Sequence, residues 1–406
     1  MKNITKRICA KILGFVFFVS GILKLMDPTG TSLIIKDYMN FFHVGFASPA
    51  AFVLGEIVAL TETFCGIMLV TGVFRKLTAW ITTIMMGFFT AITLVLWIFN
   101  PQMDCGCFGE AIHLTHFQSF AKNILLCALM LAAFLPYRDF GTPSRKKYVT
   151  FALTGIAAIA FAVYSLIYNP MLELTPFNLS SRLAASVEAD INDEGDYISA
   201  FIYEKNGKRG VFTLNKLPDS TWTFVEAQTI LKEDNIVESE YPELAFRDAE
   251  GNYRDSLAAR GNVIVISVTD PASVSGSRWN RIAETGSAAV EAGFRFLLIA
   301  SSTMDNLHSA VSSAGLSPEQ AGLVMDNAYL ADYRTLVSLN RSNGGAVYFD
   351  DGNLIEKWSG ASLPDLKDLN RRMRQDSTEV MLKSDSRGRL NFQAFMLYSI
   401  ALLLLV

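Results

Sequence analysis

The 406-residue chain is short of charge, with 18% Asp, Glu, Lys and Arg against 51% hydrophobic residues, which excludes an ordinary pair of soluble domains. Its formal net charge is −4 and it has no long basic run, which argues against nucleic acid as a partner. Cysteine is scarce and uneven: of five, none falls beyond Cys127. The polar C-terminal half therefore cannot carry a Cys-x-x-Cys pair of its own. A glycine-rich nucleotide loop and a recognisable hydrolase nucleophile setting are missing as well.

What the chain does have is apolar runs of bilayer length. They lie at about 9–26, 50–74, 77–99, 117–136 and 148–168, each near the roughly 20 residues that a spanning helix needs. A shorter run, Phe392 to Val406, closes the chain. At about 15 residues it makes ~22 Å of helix against a ~30 Å hydrocarbon core, so it is the weakest span. Lys2, Lys6, Arg7 and Lys11 precede the first span, Arg75 and Lys76 join the second to the third, and Arg138, Arg145, Lys146 and Lys147 join the fourth to the fifth. The positive-inside rule puts these segments in the cytoplasm, together with the N-terminus. By alternation, the loops at 27–49 and 100–116 and the polar stretch 169–388 face outward. Arg387 and Arg389 run against the rule, which a long translocated domain weakens. Read instead as a cleaved signal, the first run lacks a small-residue cleavage site, because Lys24 and Asp27-Pro28 follow it.

The outward loop 100–116 holds Cys105-Gly106-Cys107. A Cys-x-Cys pair brings two thiols together without a long loop, and Gly106 supplies the backbone freedom of a tight turn. A bond between residues two apart works against the usual disulfide geometry, so it should be readily exchanged. Three readings of the pair stay open: redox exchange, a structural brace in an oxidising compartment, and a metal site. His113 and His116 follow closely. They are candidate proton acceptors for a thiol, or, with Cys105 and Cys107, candidate ligands of zinc or copper in the metal reading. Asp104 argues mildly against a low thiol pKa, since a neighbouring carboxylate disfavours thiolate.

Ionisable residues within spans are costly unless paired or placed in a wet cavity. Lys24, Glu56 and Glu62 form the candidate polar cluster. Lys24 and Glu56 fall at similar depth, so an ion pair between them is expected. Glu62 lies ~9 Å deeper, with no evident basic partner. It reads either as a protonated, hydrogen-bonded carboxyl or as a proton relay or contact to a membrane quinone. Cys65 and Cys127 read as buried apolar side chains, or as a second redox pair if their helices are neighbours.

Three stretches carry a family resemblance: Ser20-Gly21-Ile22-Leu23-Lys24-Leu25-Met26-Asp27-Pro28, Glu62-Thr63-Phe64-Cys65-Gly66, and Cys105-Gly106-Cys107-Phe108-Gly109 with Phe120-Ala121-Lys122-Asn123 after it. Over roughly residues 5–170 the chain resembles the DoxX/MauE group of bacterial membrane proteins, in the version with a long outer domain found in Bacteroidota. The resemblance implies a membrane helical bundle in which Cys105 and Cys107 are the exchange pair and Lys24 and Glu62 the intramembrane polar positions. The MauE branch is associated with methylamine utilisation, in export or disulfide formation of the small subunit of methylamine dehydrogenase. That client does not follow for this chain from family likeness.

Composition changes abruptly after Tyr168. Residues 196–214 read as two strands about a turn at Asn206-Gly207, the core of a small β-rich subdomain. From Gly261 the pattern alternates: strand 262–269, helix 277–292, strand 294–301, helices 303–315 and 328–340, strands 345–349 and 353–358, helix 364–375. This order resembles the thioredoxin fold in shape alone. The stretch after its first strand reads Thr269-Asp270-Pro271-Ala272-Ser273, and Ser342-Asn343-Gly344-Gly345 replaces the usual cis-proline loop.

The expected organisation is a transmembrane bundle over residues 1–168, a linker and β subdomain over 169–260, a thioredoxin-like domain over 261–385, and a C-terminal helix over 390–406. The expected function is a multi-pass inner-membrane protein that exchanges thiols and disulfides through Cys105 and Cys107, with an exported client protein docked on the periplasmic domain. Its alternatives are a non-enzymatic scaffold braced by a disulfide and a small-molecule transporter.

Overall fold

The computed structural model describes residues 2–101, 103–112, 114–135, 143–184, 197–205, 208–213, 218, 221–231 and 241–405. Among the described residues, five helices are long and apolar enough to cross a membrane: α1 (Lys2–Met26), α3 (Ala51–Thr71), α4 (Arg75–Phe99), α5 (His116–Phe134) and α6 (Arg145–Ile167). Between α1 and α3, where an outer loop is expected at 27–49, the chain folds into a further 14-residue helix, α2 (Pro28–Phe41). Asp27 caps it by accepting from the Gly30 amide at 2.9 Å, and Pro28 takes the first helical position, where a missing N–H costs nothing.

α1 and α3 are the closest pair, antiparallel and packed on small residues. A Cβ on Gly21 would lie 2.3 Å from Thr63 Oγ1, and one on Gly66 would lie 2.4 Å from the Phe18 amide nitrogen. Glycine at these positions lets the two backbones meet, the usual way for helices to pack where lipid removes the hydrophobic drive. Arg7, Lys11, Arg75 and Lys147 gather at one end of the bundle. The opposite end carries α2, the cysteine loop and the contacts to the larger sheet described below.

Beyond α6 a three-stranded antiparallel sheet is built from β2 (Tyr197–Lys205), β3 (Lys208–Thr213) and β4 (Thr223–Leu231), in the order β3-β2-β4. β2 and β3 pair as a hairpin from Lys205 opposite Lys208 to Ala200 opposite Thr213. The Asn206-Gly207 turn itself lies outside the described residues.

The larger sheet has the order β10-β9-β6-β7-β8-β5, with β5 (Phe246–Arg247), β6 (Asn262–Val268), β7 (Arg295–Ala300), β8 (Ala328–Ala331), β9 (Gly345–Asp350) and β10 (Asn353–Trp358). β6 runs parallel to β7 and antiparallel to β9, which is antiparallel to β10. With helix Gly276–Glu291 crossing from β6 to β7, this is a thioredoxin-like domain. Both faces are covered, as a continuous apolar strand requires. Ile264, Ile266 and Val268 enter one core with Trp279 and Ile282, while Val263 and Val265 enter the other with Phe177, Leu183 and Phe246. The second core therefore takes in side chains from residues 177–183 and 244–258, within the stretch 169–260 that the sequence pattern assigns to a linker and β subdomain. The region 328–340, read as one helix, is strand β8 followed by helix Tyr333–Leu339, and helix Pro318–Asp326 precedes it. At the β9–β10 turn Asp351 and Gly352 both have positive φ, 45° and 74°, the geometry of a tight two-residue hairpin.

The C-terminal helix is longer than the apolar run and spans Ser377–Leu404. It leaves the sheet domain and returns along the bundle, stacking Phe395 on Phe161 with centroids 4.3 Å apart and burying Leu403 among the side chains of α1, α3 and α6.

Candidate functional site

The loop from α4 to α5 ends in β1 (Cys107–Glu110), which packs on the end of α1. Gly106 takes φ +62°, and this left-handed turn folds Cys105 and Cys107 towards each other with their sulphurs 3.2 Å apart. An added Cβ would lie 2.4 Å from Ile34 Cγ2 of α2, so glycine is required here both for its backbone conformation and for the space it leaves. From α2, Tyr38 donates its hydroxyl hydrogen bond to the Cys105 carbonyl. The pair is thus roofed by the helix that replaces the expected loop.

The two thiols differ. The hydrogen bond between them holds Cys107 well below the ordinary thiol range; burial opposes this shift, and the ammonium groups of Lys122 and Lys24 reinforce it. Cys105 is pushed up in turn, by that same bond first and by its own burial. Lys122, one helical turn beyond Ser119 on α5, is the first of the two cations beside Cys107, with its Nζ 4.8 Å from the centroid of the Phe108 ring. The pKa of Cys107 is lowered although Asp104 neighbours the pair in sequence. Burial likewise raises the Tyr38 phenol, first among its causes, followed by the charges of the two cysteines.

Below the pair lies the buried polar cluster. Lys24 Nζ meets Glu62 Oε1 at 2.6 Å, and Ser20 Oγ lies 2.8 Å from Glu62 Oε2. The expected partner of Lys24, Glu56, is not the one it takes. A helical side chain slants towards the N-terminus of its own helix, so Lys24 reaches back down α1 to Glu62 and away from Glu56. Glu56 is half-buried and its Oε1 has no hydrogen-bond partner among the described residues. Ser20 Oγ is also 2.7 Å from the Cys107 carbonyl oxygen, which ties the ion pair to the cysteine turn.

The histidines stand differently from the expectation. His116 Nε2 donates to the Pro101 carbonyl at 2.9 Å, at the base of the loop, and His113 lies outside the described residues. Among the described residues no group of three or more His, Cys, Asp or Glu side chains could hold a metal ion. Cys65 and Cys127 do not form a second pair. Cys65 contacts Thr82 of α4 and Cys127 contacts Thr90, eight residues and about 12 Å further along that helix.

A cavity of about 450 Å³ opens from the cysteines into the bundle, with Ser20, Lys24, Tyr38, Glu62, Cys105 and Cys107 in its wall. Above the pair, the sheet domain docks through Arg341. This buried guanidinium is 2.7 Å from Asp27 and also bonds Glu110, the last residue of β1. Arg334 pairs with Asp37 at 2.6 Å, and Lys36 sits over the Tyr333 ring at 5.2 Å.

Ser20, Lys122 and Arg341 were not singled out as site residues from the sequence. Lys122 carried a signal, as a cation inside an apolar span one turn beyond Ser119. Arg341 carried none, because its partners lie more than 200 residues away.

Residues 2–136 match the family described as methylamine utilisation protein MauE. Residues 197–234 match a domain of unknown function (DUF8463). A curated relative, Protein TlpB of Flavobacterium psychrophilum, is 27% identical over 184 residues, 44% of this chain and 50% of that protein. The chain thus spans about half the length of this relative. No solved structure matches it. Residues 2–136, which carry Cys105 and Cys107, are therefore similar to a MauE-type membrane domain, and the chain that contains them is a multi-pass membrane protein.

Proposed function

We propose that this protein is a thiol-disulfide exchange factor of the bacterial inner membrane, in which Cys105 and Cys107 cycle between dithiol and disulfide. The observation that carries the reading is the pair itself: two sulphurs 3.2 Å apart on a glycine turn, one of them beside Lys122 and Lys24. A cation next to one thiol stabilises the thiolate that attacks a disulfide, while the other thiol stays protonated until it resolves the mixed disulfide. Cys107 is then the attacking group and Cys105 the resolving one. Electrons balance within the exchange: the S–S bond of the client breaks as that of Cys105–Cys107 forms, or the reverse.

The clustering of Arg7, Lys11, Arg75 and Lys147 at the far end supports an orientation with the cysteines and the sheet domain in the periplasm. An exported protein is the client class, docking on the thioredoxin-like domain. The test is the thiol state of Cys105 and Cys107 in native membranes, read by maleimide mass shift in a Cys9/Cys65/Cys127→Ala background across graded redox buffers. Exchange predicts a midpoint well above that of structural disulfides, lost when either cysteine is replaced. A bond that never reduces under native conditions would mean a structural brace, and thiols blocked until a chelator is added would mean metal.

A further inference from the structure

The cavity beneath the cysteines has a composition that the exchange reading does not use. Its inner wall is apolar, from Phe17, Met86, Phe89, Ile92 and Leu126, and the polar groups gather at one end, with the two cysteines, Lys24 and Ser20. Its rim includes Leu54 of α3 and Phe88 of α4, each more than a third exposed, with Phe42 and Val44, similarly exposed, just past the end of α2. Exposed aromatic and aliphatic side chains at that level face lipid, so the mouth opens sideways into the bilayer. A ligand arriving that way is itself lipid-soluble. Its volume of about 450 Å³ is within the usual range of small-molecule sites.

We propose that this cavity binds a membrane quinone, which takes two electrons from the Cys105–Cys107 dithiol. The proposal rests on the exchange reading and names its electron acceptor. Two S–H bonds break and one S–S bond forms. The two electrons and two protons released convert both quinone carbonyl oxygens to hydroxyls, so the quinol leaves with the balance closed. Lys24, which lines the wall together with Lys122, is an ammonium group that can hydrogen-bond a carbonyl oxygen as it gains charge, with Glu62 holding it in place at 2.6 Å. A lipid acyl chain would fit the apolar wall but has no use for two thiols and a buried lysine at its end.

The test uses the full chain in nanodiscs, reduced and freed of reductant, in the Cys9/Cys65/Cys127→Ala background. Ubiquinone and menaquinone with a single isoprene unit are the probes, because both rings are fully substituted and a thiol cannot add to them. Quinone absorbance and free thiols are followed together, and oxidised glutathione is run in parallel as an aqueous oxidant. Expected is one quinol per two thiols lost with at least one probe, and loss of the reaction in Cys105→Ser. Val58→Trp and Ile92→Trp, which fill the cavity from α3 and α4, should slow it tenfold or more, while Ile156→Trp, on the lipid face of α6, should not. Oxidation by glutathione disulfide with neither quinone reduced would overturn the quinone proposal alone. So would quinone reduction at equal rates in Val58→Trp, Ile92→Trp and Ile156→Trp. Failure with glutathione disulfide as well would overturn the exchange reading with it.

Discussion

Replacing Lys122 by glutamine should change the reactivity of Cys107 in opposite directions at low and high pH. Lys122 is the first of two cations that lower the pKa of Cys107. An opposite charge within a few ångströms lowers an acid's pKa by about 1–3 units, so the low end of that range, about one unit, is the conservative expectation for losing it. Below both the native and the variant pKa, the thiolate fraction then falls about tenfold. The thiolate that remains is more basic and more nucleophilic, by about threefold for a Brønsted slope near 0.5. The net effect is roughly threefold slower reaction at acid pH. Above both pKa values each protein is all thiolate, only nucleophilicity differs, and the variant should be about threefold faster. The assay is iodoacetamide alkylation of Cys107 in the Cys9/Cys65/Cys127→Ala background, quantified by peptide mass spectrometry across the pH range, with rates that cross between the two plateaus. A variant uniformly slower or faster at every pH would show that Lys122 acts through loop structure and not through charge, and the argument for Cys107 as attacking thiol would fall.

Lys24→Met leaves Glu62 in the bundle with Ser20 as its remaining partner; breaking a buried ion pair in this way costs about 3–5 kcal/mol. Adding Glu62→Leu should recover most of the loss in detergent unfolding midpoint, and a double variant no more stable than the single would refute the pairing. Gly106→Ala forces a β-carbon into the left-handed region, at about 1–2 kcal/mol, and against Ile34. Diamide should then close the Cys105–Cys107 bond at least tenfold more slowly, with partial recovery on adding Ile34→Ala; recovery to the native rate would mean that only the contact matters. Arg341→Met leaves Asp27 and Glu110 without their guanidinium, and amide hydrogen exchange across Pro28–Phe41 and Cys107–Glu110 should rise tenfold or more. Unchanged exchange there would mean that the sheet domain does not brace the cysteine loop.

Much of the architecture was legible because membranes impose simple rules. Five runs of about 20 apolar residues became five helices, since a backbone in hydrocarbon has to satisfy its own hydrogen bonds. The strands at 262–268 and 295–300 were legible as β-branched and apolar runs buried on both faces. What escaped was polar or long-range. Helix α2 was read as loop although Asp27-Pro28 is a helix-start signal, a capping carboxylate followed by proline at the first turn. Helix Pro318–Asp326 carried the same kind of signal, with Ser317 and Gln320 closing a capping box. The Lys24–Glu62 pair was missed because depth was counted from backbone positions, whereas a lysine side chain reaches about a helical turn along its own axis.

α2 also explains how a thioredoxin-like domain without cysteines bears on the cysteine pair in the membrane half. The two loops that face the disulfide in thioredoxin-like oxidoreductases are here tied to each other. Asn343 accepts from the amides of Thr269 and Asp270 at 3.0 and 3.3 Å and donates to Ser273 Oγ at 2.9 Å. Two residues before it, Arg341 leaves the same loop and enters the membrane half between Asp27, the cap of α2, and Glu110, three residues after Cys107. α2 offers Lys36 and Asp37 to the domain, and Ile34 and Tyr38 to the cysteine turn. The loop that stands in place of the cis-proline loop thus works as a clamp, and what it clamps is the turn that carries Cys105 and Cys107. α2 touches both the cysteine turn and the sheet domain, so a displacement of either is passed to the other through it, beside the direct contact of Arg341 with Glu110.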